Sequence, residues 1–168
     1  MVITSMKFRK LEYTDLKFLN EVRNSFAENF LHDSRIFTLR ETESWFEETK
    51  PDYWIILRED ERIGYFRLSN YSKTNKNIYI GADLHEKFHG KGYALEAYKK
   101  FMVFLFEEYD LHKISLEVLA KNHKALHLYK KIGFVTEGTK RQEVLKGNEF
   151  IDSIIMSILK KEFYNDNN

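Results

Sequence analysis

The clearest hydrophobic pattern lies in the middle of the chain. From Asn77 to Leu84 the apolar Ile78, Ile80, Ala82 and Leu84 alternate with Tyr79, Gly81 and Asp83, the period of a strand. From Tyr93 onward the period changes: Ala94, Leu95, Tyr98, Met102, Leu105, Phe106 and Tyr109 recur at helical spacing, with Glu96, Lys99, Lys100, Glu107 and Glu108 largely elsewhere on the wheel. A strand therefore enters a turn, and an amphipathic helix with one face on a sheet leaves it. The same reading gives a strand over Lys113–Leu119 and a second helix capped by Asn122, with Ala125, Tyr129 and Ile132 on one face and Gly133 as its stop.

Toward the amino terminus, Lys7–Glu12 predicts a strand, and Thr14 an N-cap for a helix carrying Leu16, Leu19, Val22 and Phe26. Phe26–Phe37 is aromatic and irregular, a candidate substrate-side loop holding Asn29, His32, Asp33 and Arg35; its rings serve equally well as packing beneath a loop. Thr38 followed by Glu41 has the spacing of a capping box, and Pro51 closes that helix near Lys50. Tyr53–Arg58 and Ile63–Ser69 read as strands of a hairpin joined by Glu59–Arg62, and Tyr71–Lys76 as a polar connection. Phe134–Thr139 and Phe150–Leu159 read as two final strands joined by polar Lys140–Glu149, and Asn165–Asn168 as a frayed tail. Strands and helices mix throughout, so the natural packing is one mixed sheet with helices on both faces, a single domain over residues 1–168.

Two motifs carry chemistry. In Leu84-His85-Glu86-Lys87-Phe88-His89-Gly90-Lys91-Gly92-Tyr93-Ala94, Gly90 and Gly92 let consecutive N–H groups converge on an anion at the start of the next helix, as a pyrophosphate requires. Asn122 and Tyr129 lie almost two turns apart, which sets the phenol on roughly the side of the cap. The run His89-Gly90-Lys91-Gly92-Tyr93-Ala94 resembles the pyrophosphate loop of the GNAT superfamily of N-acetyltransferases, except that His89 stands where Gln or Arg is usual. The later run from Asn122 through Ala125 and Leu128-Tyr129 to Gly133-Phe134 is similar to that family's second pattern. The resemblance implies an α/β (α+β mixed) fold: a central, mostly antiparallel mixed sheet of about seven strands, splayed at the acyl-CoA site and flanked by about four helices.

It also implies transfer of acetyl from acetyl-CoA directly to a primary amine, without a metal. Leu84, His85, His89, Gly90, Lys91, Gly92, Tyr93, Ala94 and Asn122 would then hold coenzyme A, a backbone N–H of the Asp83–His85 neighbourhood would polarise the thioester carbonyl, and Tyr129 would be the general acid at the sulfur. No motif identifies the base. Asp83, which shares a strand face with Tyr79, and Glu117 on the neighbouring strand are the candidate carboxylates, each with a bland reading as a turn acceptor or a salt-bridged strand residue. His85 and His89 titrate in a useful range, with phosphate contact the preferred role for His89.

Composition narrows the partners. Lys and Arg number 27 against 26 for Asp and Glu, so there is no basic field for nucleic acid despite the local Lys121–Lys131 run. No cysteine is present, which excludes disulfides, thiolate metal sites and an acyl-cysteine intermediate. The histidines show no metal-ligand spacing, and no apolar run approaches the roughly 20 residues that span a bilayer, so a cytoplasmic protein is the default expectation. Self-association as a homodimer stays open. For the acceptor, Arg23, Arg35 and Arg40 among Phe26, Phe30, Phe37, Trp45 and Trp54 lean toward a nucleotide-linked amino sugar, which needs cations for its phosphates and flat surfaces for its base. The alternatives are a protein or ribosomal-protein amino terminus, a polyamine, or a non-catalytic acyl-CoA-binding domain.

Overall fold

The computed structural model describes residues 5–165. Seven strands form one sheet in the order β1-β2-β3-β4-β5-β7-β6: β1 Met6–Lys10, β2 Tyr53–Arg58, β3 Glu61–Ser72, β4 Asn77–Leu84, β5 Lys113–Leu119, β6 Val135–Lys146 and β7 Glu149–Leu159. Five helices accompany them: α1 Leu16–Ala27, α2 Leu39–Thr49, α3 Tyr93–Glu108, α4 His123–Ile132 and α5 Lys160–Asn165. Every neighbouring pair of strands is antiparallel except β4 and β5, which the α3 crossover makes parallel. The mixed sheet splayed in its middle is the architecture that the resemblance implies.

Strand alternation divides the core between the two faces. Ile56, Phe66, Ile78, Ile80, Leu116 and Met156 pack against Ala97, Tyr98, Phe101 and Leu105 of α3 and Tyr129 and Ile132 of α4. Their neighbours Ile55 and Tyr65 point the other way, onto Leu16, Leu19 and Val22 of α1, with Trp45 and Phe46 of α2 beside them. The larger cluster is held by rings, Phe66 stacking on Phe101 at 4.3 Å between centroids.

Several boundaries move for local reasons. Thr14 is not the cap of α1; a 3-10 turn over Tyr13–Asp15 precedes the helix, and its box pairs Glu12 with Asp15. Asp15 is fully buried and accepts from Arg9 at 2.6 and 2.8 Å, from Arg62 at 3.2 Å and from the Glu12 N–H at 3.0 Å. The expected four-residue connection Glu59–Arg62 tightens to Glu59-Asp60, both at positive φ, because a left-handed two-residue turn matches the twist of a hairpin. Lys140–Lys146 is not a polar loop but the second half of β6, paired with β7 up to a turn at Gly147. α5 was not anticipated; of the expected tail, Asn165 ends this helix and residues 166–168 lie outside the described residues. The Thr38–Glu41 capping box and the left-handed stop at Lys50 stand as the spacing predicts.

Asp15 ties β1, β3 and the start of α1 together, and burial opposes its ionisation while Arg9, the Glu12 amide and Arg62 more than compensate, holding its carboxyl below its ordinary range. Its folded pKa is depressed, so the stabilisation is complete above the ordinary Asp value and is lost as pH falls through the folded one. Asp15→Asn should therefore cost about 2–3 kcal/mol at pH 7. In denaturant titrations, the gap between wild type and variant should close as pH drops below about 4.

Candidate active site

The site is built where β4 and β5 part. They pair only over Asn77–Tyr79 and Lys113–Ser115, and beyond Tyr79 the edge of β4 that faces β5 has no strand beside it. The His85 N–H bonds the Ile63 carbonyl at 2.9 Å, and this sets the phase of the β3–β4 ladder: Asp83 and Gly81 direct their backbone toward β3, Ala82 and Leu84 toward the gap. The Leu84 N–H therefore faces the gap, within the Asp83–His85 stretch where the resemblance implies a backbone donor. Gly64 allows this register, because a Cβ there would lie 2.4 Å from the Asp83 carbonyl oxygen.

After β4, a 3-10 turn over Glu86–Phe88 leads through Gly90 at φ 72° and Gly92 at φ 78° into α3. Phe88 anchors the turn in the core, while Gly90, Lys91 and Gly92 are exposed. Gly92 is the N-cap and no side chain caps the helix; its carbonyl accepts from the Glu96 N–H at 3.2 Å. The amides of Tyr93, Ala94 and Leu95 are thus presented at the positive end of the helix, a ready seat for a phosphate. His85 and His89 serve the turn itself. His85 Nδ1 accepts from the Lys87 N–H, and His89 Nε2 lies 2.7 Å from the Leu84 carbonyl while its ring stacks on Phe26. Through Nε2–H, His89 satisfies the carbonyl exposed by the parted strand; its Nδ1 then carries a lone pair, so the neutral ring offers no donor to a phosphate.

On the α3–α4 face of the gap stand two buried phenols. Tyr98 donates to the Tyr129 hydroxyl oxygen at 3.3 Å, so the proton of Tyr129 is free for another acceptor. Burial raises the Tyr129 phenol above its ordinary value, against the opposing pull of the Tyr98 hydrogen bond, and keeps it protonated at neutral pH. Asn122 caps α4, its Oδ1 accepting from the Ala125 N–H at 3.2 Å. Its amide nitrogen is the part left for coenzyme A.

On the α1–α2 face stand the charges. Arg67 crosses Gly81, where a Cβ would sit 2.8 Å from the guanidinium, and reaches to 3.4 Å from Asp83. The pair is not aligned for a hydrogen bond, and neither Arg67 Nε nor Asp83 Oδ2 has a partner of that kind among the described residues. Asp83 and Arg67 influence the phenols of Tyr98 and Tyr129 across the gap, so the two faces communicate there. Further along, Glu117 receives Lys140 at 2.7 Å on one oxygen; its other oxygen lies 3.4 Å from Ser153 Oγ and 3.8 Å from His32. Asp83 and Glu117, the two candidate carboxylates, are both on this face but in separate ion pairs. Arg67, Lys140, Ser153 and Tyr98 were not among the sequence candidates, whereas His32 lies in the expected substrate-side loop. Of the former only Tyr98 had a signal, its place on the same helical stripe as Ala94, Leu95 and Met102.

The chain matches the model of the acetyltransferase (GNAT) domain over residues 6–135. It is 24% identical over 169 residues to the spermidine N(1)-acetyltransferase of Escherichia coli strain K12, covering 95% of this chain and 88% of that protein. It is 31% identical over 134 residues to the uncharacterized N-acetyltransferase YnaD of Bacillus subtilis, covering 76% and 78%. Among solved structures, the spermidine N-acetyltransferase of Vibrio cholerae in complex with CoA and spermine superposes with a TM-score of 0.88 at 24% identity, over 95% of this chain and 98% of that one. The uncapped helix end behind two left-handed glycines and the open β4 edge suit the pyrophosphate and the amide-bearing arm of coenzyme A. Among the described residues no cluster of three or more His, Asp or Glu is placed to hold a metal, and no helix is long and apolar enough to cross a membrane.

The turn depends on its two left-handed glycines. A β-branched residue at either costs about 1–2 kcal/mol in backbone conformation alone. No protein atom lies within 4 Å of the added Cβ, so the strain falls on the loop and the ligand rather than on the core. Gly92→Val should raise the calorimetric Kd for acetyl-CoA by tenfold or more with a thermal midpoint lowered by only a few degrees.

Proposed function

The chain belongs to the GNAT acetyltransferase family, and from that premise we propose that the amine it acetylates is that of a polyamine. It is an acyl-CoA-dependent N-acetyltransferase with acetyl-CoA as co-substrate. The polyamine reading replaces the amino-sugar expectation because the relatives described above whose names specify an acceptor act on spermidine, and none of them names a sugar. On the α1–α2 face, Asp83 and Glu117 are the carboxylates that would meet a cationic acceptor.

In this reading the amine enters from the α1–α2 face and loses a proton there. Its lone pair attacks the thioester carbon presented along β4, and the Leu84 N–H receives the negative charge developing on oxygen. As the C–S bond breaks, Tyr129 gives the sulfur its proton. What supports the assignment of Tyr129 is the 3.3 Å contact of its hydroxyl with that of Tyr98: with Tyr98 as donor, the Tyr129 O–H is free to turn to the sulfur.

A second reading rests on charge. Arg23, Arg35, Arg67, Lys140 and Lys146 surround the acceptor side against Asp33, Asp83 and Glu117, and each of these carboxylates is already in an ion pair. That excess favours an amine carrying phosphate or carboxylate, such as a nucleotide-linked amino sugar or a peptide.

An acceptor screen reading released thiol separates them: spermidine or spermine should turn over at least tenfold faster than nucleotide-linked 4-amino sugars or peptides. A preference for the sugar nucleotide would establish the second reading instead. Tyr129→Phe should lower kcat by about 10²-fold and leave the Kd of acetyl-CoA within about twofold, because the donated proton matters only as sulfur gains charge. A variant as fast as wild type under conditions where chemistry limits the rate would remove Tyr129 from this role.

A further inference from the structure

The segment between α1 and α2 places His32 over the far end of the sheet. Its Nε2 lies 2.7 Å from Ser153 Oγ on β7, and that hydroxyl is also within donating reach of Glu117 Oε2 on β5 at 3.4 Å, so its single proton turns either to the carboxylate or to a lone pair on Nε2. Ser153 is fully buried, whereas the His32 side chain is 36% exposed. Glu117 is two residues past the last β5 residue paired with β4, and it points away from the face that Leu116 and Val118 bury against α3 and α4. One end of this row is thus a carboxylate beside the gap and the other an imidazole open to water. The arrangement is not that of a nucleophilic serine: Ser153 has no exposure to a substrate, and the carboxylate lies on the Nε2 side of the ring, where a base-orienting group would sit at Nδ1.

We propose that Glu117, Ser153 and His32 form a proton relay that carries the acceptor ammonium's proton from the gap to solvent. The inference rests on the reading of the α1–α2 face as the acceptor side, and it holds for any primary amine. The ammonium gives its proton to Glu117 Oε2, and the freed amine attacks the thioester. Protonated Glu117 passes its proton to Ser153 Oγ, while Ser153 passes its own to Nε2 of neutral His32. The imidazolium releases its Nδ1 proton to water, which leaves the Nε2–H tautomer; an outward turn of the partly exposed ring gives the Nε2 proton to water while Nδ1 regains one, and the Ser153 hydroxyl turns back toward Nε2, so the row is reset with one proton delivered to solvent. Lys140 holds the other oxygen of Glu117 at 2.7 Å and keeps the carboxylate in place. The charges around His32 favour the resting state: burial lowers its pKa, Glu117 opposes that, and Arg67, Lys140 and Lys146 reinforce it, with Asp33 adjacent in sequence. His32 therefore rests neutral at pH 7 and gives up an acquired proton readily.

The relay requires a lone pair on His32 Nε2, so nitrogen-15 NMR of the six histidines at pH 7.5 should show His32 as the Nδ1–H tautomer. Its titration should fall below the ordinary histidine value and move lower still in Glu117→Gln. An Nε2–H tautomer, or a titration that ignores Glu117→Gln, would overturn the relay. This arm needs no acceptor, so it decides the proposal even if no amine in the screen is acetylated, an outcome that would instead remove the proposed acceptor. With an acceptor that turns over, His32→Gln, which keeps a hydrogen bond to Ser153 but takes no proton, should lower kcat by about 10²-fold with KM for acetyl-CoA within twofold. Added imidazole should restore His32→Ala at least fivefold. A His32→Gln enzyme with the wild-type kcat and pH profile would equally overturn the proposal.

Discussion

The parting of β4 from β5 after three paired residues is the constraint on which the site depends. A parallel pair satisfies its backbone with evenly spaced slanted bonds, so ending the pair early leaves a row of amides and carbonyls on β4 without strand partners. The chain meets that cost in two ways. His89 reaches back from the glycine turn to the Leu84 carbonyl, and the Leu84 N–H is left facing the gap. Meanwhile β3 holds β4 in register from the other side, at a separation that only Gly64 permits opposite Asp83 and Leu84. The opening is therefore a property of a rigid edge, supported by strands already locked into two packed cores.

Because the opening passes through the sheet, it joins two environments of opposite character. On the α3–α4 side Tyr98 and Tyr129 sit among aliphatic and aromatic neighbours, and burial keeps both phenols protonated. On the α1–α2 side Arg67 pairs with Asp83 and Lys140 with Glu117, and His32 lies 3.8 Å from Glu117. In the proposed reading a proton donor and proton acceptors face a common gap from opposite sides, which would let one fold remove a proton from the amine and deliver one to the sulfur without the two groups neutralising each other. The open alignment between Arg67 and Asp83, with neither Nε nor Oδ2 hydrogen-bonded, leaves polar capacity at the centre of this arrangement.

Much of this was legible from local pattern. The alternation of Asn77–Leu84, the stripe from Tyr93, the Asn122 cap with Gly133 as stop, and the Gly90–Gly92 turn are decided by residues within a few positions of one another, so periodicity and backbone preference suffice to place them. The two signature runs sit on those same elements, which is why the family could be read before any contact was known. Other features depend on residues far apart. Thr14 has the chemistry of a cap, but Asp15, held by Arg9 and Arg62, closes a 3-10 turn on the Glu12 N–H ahead of the helix. Lys140–Lys146 reads as a loop because it is polar, yet pairing with β7 makes it a strand on the solvent-facing edge.

What the amino-acid sequence determined by itself is the order and type of nearly all elements, the two-glycine turn before α3 and the place of Tyr129 on α4. What only the tertiary structure decided is the company these residues keep. His32 and Ser153 are 121 residues apart, Lys140 and Glu117 are 23 apart, and Tyr98 and Tyr129 are 31 apart. Local propensity acts over one or two turns, whereas these contacts exist because strand order brings β5, β7 and β6 together and lays the α1–α2 segment over them. No periodicity records that order. It is set by how two hydrophobic faces are covered at once, and the chemistry of the acceptor side follows from it.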